Sequence, residues 1–253
     1  AASGGNGKDC DIDRYDLMEP PCRQLFVWDP DAKLILGGYR FITGKDIAMM
    51  PDGTPRIATA HMFRFSDSFI NEYLPLTIEL GRSFVRLEYQ SSKAGAKALY
   101  ALDNLWDGLG ALTVVHPEIK YLFGKVTMYP GYNKQCRNMI LYFMNKHFSD
   151  PDRLVRPIHP LDTETDLQSM RDIFTGADYL DDYKILNKAI RANGINIPPL
   201  VNAYMSLSPT MRVFGTAIND EFGDVEETGI FLAISEILEE KKQRHIGTFH
   251  PRH

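Results

Sequence analysis

Strand-like apolar runs occupy Gln24–Trp28 and Leu34–Phe41, and Asp29-Pro30-Asp31-Ala32-Lys33 between them supplies a turn, so the two runs predict a β-hairpin. Residues 43–73 read as loop and short helix, with Ser66-Asp67-Ser68 as a cap for Phe69–Tyr73. A strand follows over 76–87. From Ala94 to Leu112 the apolar residues fall at Ala98, Leu99, Ala101, Leu102, Leu105, Trp106, Leu109 and Leu112, the spacing of a helix with one buried face. Tyr121–Met128 reads as a short strand stopped by Tyr129-Pro130-Gly131, and Tyr132–Phe148 as a helix.

Beyond 148 the character changes. Glu164–Phe174 and Asp181–Ala192 are helical and polar, with Gly194 as a C-cap, and Pro198-Pro199 starts another short helix. Strand patterning returns at Arg212–Ile218 and Gly229–Ile234, across an acidic turn, Asp220–Glu227. The expectation is an α/β fold with a central mixed sheet. Its parts are an arm at 1–22, a domain at 23–236 with a helical insertion at 149–210, and a polar tail at 237–253.

A chain of 253 residues with 44% hydrophobic and 24% charged positions has the composition of a globular protein with a sizeable core. Its net charge of −5 argues against a general nucleic-acid binder. Cys10, Cys22 and Cys136 are odd in number and scattered, with no CxxC pair, so reduced thiols and a cytoplasmic setting are expected. No apolar run approaches the length needed to span a bilayer. The seven histidines show no metal-ligand spacing, and there is no Gly-x-Ser-x-Gly elbow, Walker loop or Rossmann fingerprint. His147 and Asp152 fit a His-x4-Asp pattern formally, but Pro151 interrupts it at a helix end. Trp106, Phe123, Tyr142 and Phe143 read as core.

The most informative stretch is Ile78–Val85 followed by Glu88–Lys97. It reads as a strand that ends in a polar loop and opens a helix. Such a junction aims several backbone N–H groups and the positive end of a helix dipole at one spot, where anions dock. Glycine inside a strand marks a bulge, here near Gly81; without one, 79, 81 and 83 share a face and 80, 82 and 84 the other. Glu79 and Arg82 are either solvated charges at a sheet edge or a general base with an arginine that holds a carboxylate or a donor carbonyl. The order of parts resembles the acyl-donor site of the GNAT acyltransferases. Gln90 and Gly95 fit that family's donor-loop signature, whereas Lys93 stands in place of its first glycine, which weakens the case for coenzyme A. Tyr132, beside the Pro-Gly turn, is either a general acid toward the departing thiolate or a half-buried tyrosine with its hydroxyl in water.

A longer series carries a narrower resemblance. Asp11–Asp16, Gln24–Trp28, Leu36–Arg40, Glu79–Ser83, Leu105–Leu109, Tyr121–Gly124, Pro198–Leu200 and Phe214–Ala217, in that order, resemble the ornithine/glycine lipid N-acyltransferases, a group also labelled hemolysins. The wording is most similar to the Bacteroides-type glycine N-acyltransferases. The resemblance implies a GNAT-like fold with a βα segment ahead of the equivalent of Ala1. It also implies transfer of a 3-hydroxyacyl chain from acyl carrier protein, or from acyl-CoA, to the α-amine of glycine or ornithine, with no permanently bound cofactor and no metal. Glu79 and Arg82, with Tyr132, would be catalytic. Phe84, Val85 and Arg86 on the strand, then Gln90, Ser91, Ser92, Lys93, Ala94, Gly95 and Lys97 on the loop and helix start, would hold the donor.

Direct attack of the amine on the thioester needs positioning and an oxyanion donor rather than a nucleophilic Ser or Cys. A backbone N–H near Phe84 or Val85 would serve. An acidic carrier protein would dock on positive charge, for which Lys93, Lys97, Lys125, Lys134 and Arg137 are candidates. The product would be released by peripheral contact with a membrane. Two rivals stand beside this reading: a non-catalytic acyl-binding or membrane-associated interaction protein, and an acyl-homoserine-lactone-type synthase that would require S-adenosylmethionine.

Overall fold

Side-chain chemistry at the first turn sets the frame for the fold. In the computed structural model, which describes residues 14–86, 96–247 and 249, Asp29 accepts at one oxygen from the backbone N–H groups of Asp31 and Ala32, both at 3.0 Å. That turn joins β1 (Arg23–Asp29) to β2 (Leu34–Thr43) as the antiparallel hairpin expected from the sequence. The chain divides into two units, one of them made of described residues 14–58, 67–86, 96–124, 232–247 and 249.

In this unit the strands run β1-β2-β4-β5. β4 (Thr77–Val85) is antiparallel to β2, and β5 (Tyr121–Met128) is parallel to β4 from Thr77↔Tyr121 to Glu79↔Phe123. The long helix α1 (Ala96–Val115) buries Leu105, Trp106 and Leu109. It lies against the side of the hairpin that carries Leu25 and Gly37; a Cβ built on Gly37 would meet Leu105 at 3.1 Å. A last short helix, Glu239–His245, crosses α1 so closely that a Cβ on Gly110 would stand 2.0 Å from the His245 carbonyl oxygen. His245 to Asp107, at 2.7 Å, and Arg244 to Asp103 hold it there.

The other unit comprises Thr59–Ser66 and Lys125–Phe231. Its strands follow the order β5-β8-β7, and the sheet as a whole is six-stranded and mixed. The residues 59–66 and 149–210 are not purely loop and helix: β3 (Phe63–Phe65) pairs antiparallel with β6 (Val155–Pro157). Each has three residues, too few for a period to register in the sequence. Helix α2 (Lys134–His147) starts at Asn133, whose side chain accepts from the Cys136 N–H. α3 (Leu167–Ile173) and α4 (Tyr179–Ala192) are capped in the same way by Asp166 and Asp178, and α5 (Pro199–Met205) begins at the expected proline. Phe143 and Met144 of α2 and Leu186 and Ile190 of α4 are fully buried, and the two helices pack together.

β7 (Arg212–Asn219) and β8 (Val225–Ala233) form a hairpin. The sequence placed the start of the second strand at Gly229, after an acidic turn over Asp220–Glu227. Glu227 and Thr228 are in fact fully buried and hydrogen-bonded inside the strand. Among the described residues no helix is long and apolar enough to cross a membrane.

Candidate active site

β4 is irregular where its two charges sit. Phe84 pairs with Gly38 and Gly81 with Arg40, so Arg82 and Ser83 together face Tyr39. This is a β-bulge, one residue beyond the expected glycine. Arg82 adopts φ +46, the left-handed region, which costs a residue with a side chain about 1 kcal/mol or more. The bulge resets the alternation. Glu79, Gly81 and Phe84 share one face, across from Ile42, Arg40 and Gly38 respectively.

Glu79 is buried at 3% exposure, and Arg40, on the same face, is equally enclosed. Arg40 Nη1 donates to Asp16 Oδ1 at 3.2 Å, and its guanidinium lies 5.6 Å from the centre of the Tyr15 ring. The guanidinium lies beside Gly81, where a Cβ would stand 3.8 Å from Arg40 Nη2, an ordinary contact. Arg82 Nη1 comes within 3.8 Å of the other Asp16 oxygen. One carboxylate thus spans two guanidiniums, the pairing that a buried arginine requires. Arg40 and Asp16 were not singled out as site residues from the sequence. The signal was an arginine inside an otherwise apolar strand and an aspartate in the Asp13-Arg14-Tyr15-Asp16 run.

The strained position allows a clean comparison. Arg82→Ala removes the guanidinium and keeps a Cβ at positive φ, whereas Arg82→Gly removes both. The glycine variant should be the more stable of the two by about 1 kcal/mol in urea unfolding, with activity lowered equally in both. Equal stability would mean that the backbone relaxes out of the bulge.

Of the expected donor-binding residues, Phe84 is half exposed. Its ring lies over Gly38, where a Cβ would stand 3.0 Å from Phe84 Cε1 and 2.8 Å from the Leu25 carbonyl oxygen. Val85 and Arg86 are half-buried. The Arg86 N–H donates to the Leu36 carbonyl at 2.9 Å, so by alternation the Val85 N–H points away from β2. Gln90, Ser91, Ser92, Lys93, Ala94 and Gly95 lie outside the described residues, as does the side chain of Lys97 at the start of α1.

The Tyr132 hydroxyl is not left to water: it donates to the Asn196 carbonyl at 2.8 Å. Burial, with a smaller contribution from Cys136, pushes this phenol up to about 12. A phenol so held is a weak acid toward a thiolate, whose ordinary value is about 8.5. Two of the basic residues assigned to carrier-protein docking are also engaged within the fold. Lys125 pairs with the fully buried Glu227, and Arg137, itself buried, pairs with Glu226. Of the described members of that set, Lys134 is exposed.

The family model described as "Acetyltransferase (GNAT) domain" matches residues 1–100. A protein of Phocaeicola vulgatus named "Glycine N(alpha)-acyltransferase" is 62% identical over 253 residues, which is all of this chain and 78% of the relative. A protein of the same name from Bacteroides thetaiotaomicron is 64% identical over all of this chain and 75% of its own length. No solved structure matches. With identity at this level sustained from end to end, a GNAT match at its start and a mixed sheet accompanied by helices, the chain is an N-acyltransferase and belongs to the glycine N(alpha)-acyltransferase family.

Proposed function

We propose that the protein transfers a 3-hydroxyacyl chain from a thioester donor, acyl carrier protein or acyl-CoA, to the α-amino group of glycine, as a step of aminolipid biosynthesis. The observation that carries the reading is the end-to-end identity to two proteins named for glycine N(alpha)-acylation. The donor lies along β4 beyond Glu79, its thioester carbonyl polarised by the Val85 N–H. The amine attacks the carbonyl carbon, the C–N bond forms, and the C–S bond breaks to release the thiolate. Glu79 takes the proton from the amine, directly or through one water. Arg82, whose neighbouring carboxylate Asp16 is already present, serves the donor's carbonyl region. The N-acylated product is an amphiphile and is released by peripheral contact with a lipid surface.

The test mixes the protein with 3-hydroxypalmitoyl carrier protein, or with the matching CoA thioester, and an equimolar pool of amino acids, and reads products by mass spectrometry. N-acylglycine should dominate. A dominant N-acylornithine would reassign the acceptor; no acylated amine with either donor would sink the reading.

A further inference from the structure

We propose that an exposed apolar row on β1, β2 and β4 holds the hydrocarbon chain of the acyl donor, with Phe26 and Trp28 setting the preferred chain length. The inference rests on the acyl-transfer reading above, and every residue it uses belongs to one unit.

The ladder builds the row. Phe84 of β4 stands opposite Gly38 of β2, and Gly38 stands opposite Phe26 of β1, so the three share one side of the sheet. The Phe84 ring leans over Gly38 into the space that a side chain there would take. Trp28 follows Phe26 by two residues, hence on the same side, and faces Ile35. The register shift between Val27 and Trp28 leaves this alternation intact, because the extra residue, Leu36, is on β2. Phe26, Trp28, Ile35 and Phe84 are each between 40% and 54% exposed. The other side of the hairpin is filled, with Leu25 and Gly37 against α1.

Large apolar side chains half in water at adjacent ladder positions form a contiguous patch, the kind of surface that marks a binding site. Its position names the ligand. Phe84 adjoins Val85, whose N–H is assigned to the thioester carbonyl, and shares its side of β4 with Glu79. Toward Glu79 that side turns polar: Gly81 and Arg40 are the next pair, and Asp16 and Tyr15 pack on Arg40. A hydrocarbon chain that leaves the thioester beside Val85 finds its apolar course in the other direction, over Phe84 and Gly38 to Phe26 and Trp28. Three adjacent strands put Phe84 and Phe26 about 10 Å apart, and Trp28 lies about 7 Å further along β1. A 3-hydroxypalmitoyl chain covers that distance and a 3-hydroxybutyryl chain does not. The turn at the far end, Asp29–Lys33, is net acidic, which disfavours an anionic bilayer as the occupant.

The test compares 3-hydroxypalmitoyl and 3-hydroxybutyryl thioesters, on carrier protein and on CoA, with glycine as acceptor. The double variant Phe26→Thr with Trp28→Thr keeps strand-forming residues at two exposed positions, so the fold is preserved. Wild type should prefer the long chain. The double variant should raise the KM for the long-chain donor by about 10-fold or more, while the 3-hydroxybutyryl parameters and the glycine KM stay within about twofold. Calorimetric titration with free 3-hydroxypalmitate reads the row without turnover: wild type and Trp28→Phe should bind it, and the double variant should not. Trp28 is one of two tryptophans and the other, Trp106, is buried. The same acid should therefore shift wild-type emission to the blue and leave that of Trp28→Phe unmoved. Binding lost in the double variant keeps the proposal even if no amine is acylated, an outcome that would remove the transfer reading alone. Glycine acylation with an unchanged chain-length preference, or with equal loss for both donors, would overturn the proposal and leave the transfer reading standing. Wild-type emission indifferent to the long acid would also overturn it. So would a wild-type dimer that the double variant dissolves with its preference intact, since a second copy would then be the occupant.

Discussion

Glu79→Gln should lower kcat by about 100-fold or more, the contribution of a positioned general base, while the KM for the acyl donor should change little. The substitution keeps the size and shape of the side chain in a buried position, while the charge and the capacity to take a proton are lost. A rate measured against pH separates this from a structural effect. With Glu79 as the base, the wild-type rate should fall on the acid side; in the variant that limb should disappear. An acid limb that survives unchanged would show that the amine loses its proton elsewhere. A kcat and donor KM that fall and rise together would mean that Glu79 supports the donor instead.

The largest expected loss of stability belongs to the other unit. Asp182 of α4 is fully buried and accepts from Lys146 Nζ at 2.6 Å, His147 Nε2 at 2.8 Å and the Gly176 N–H at 2.8 Å. Burial alone would raise its carboxyl; the donors from Lys146, His147 and Gly176 outweigh that and hold it below the ordinary value of 3.8. Because the fold lowers this pKa, the stability it contributes is complete above pH 3.8 and is lost as pH falls through the folded value. Asp182→Asn sets an amide N–H against two donors and should cost about 3 kcal/mol in urea unfolding at neutral pH, the scale of a buried pair that loses one partner. Its stability should also depend less on pH on the acid side. A midpoint within error of wild type would show that α4 is held to α2 by its apolar face alone.

The readable parts of the chain were those where apolar residues run together between turn residues or recur at a helical period. The β1–β2 hairpin and β5 are such runs and α1 has such a period, and each appears close to its expected bounds, although Phe26, Trp28, Leu34 and Ile35 of the hairpin are exposed. What could not be read is where polar residues are buried. Glu226, Glu227 and Thr228 look like a turn because their partners, Arg137, Lys125 and Thr216, are distant in the sequence. The same pairs made Lys125 and Arg137 look like surface charge. On β4 the glycine announced an irregularity, and Glu79 and Arg82 were legible as charges on a strand. Their shared neighbour Asp16 was not, since only the folded arm brings it to Arg40.

The extra residue on β4 also makes the length of that strand a constraint separate from its composition. A chain lacking Ser83 could pair with β2 without interruption, Phe84 still opposite Gly38, in a straighter ribbon with no left-handed residue. The cost falls on Arg82. In a regular ladder it would turn to the side of Leu80, Leu25 and Gly37, the side against which α1 is laid. A guanidinium would then be driven into hydrocarbon while Asp16 lost one of its two arginines. Shortening the loop by a single position therefore offers no neutral route between relatives of this enzyme: the tidier strand would be the inactive one.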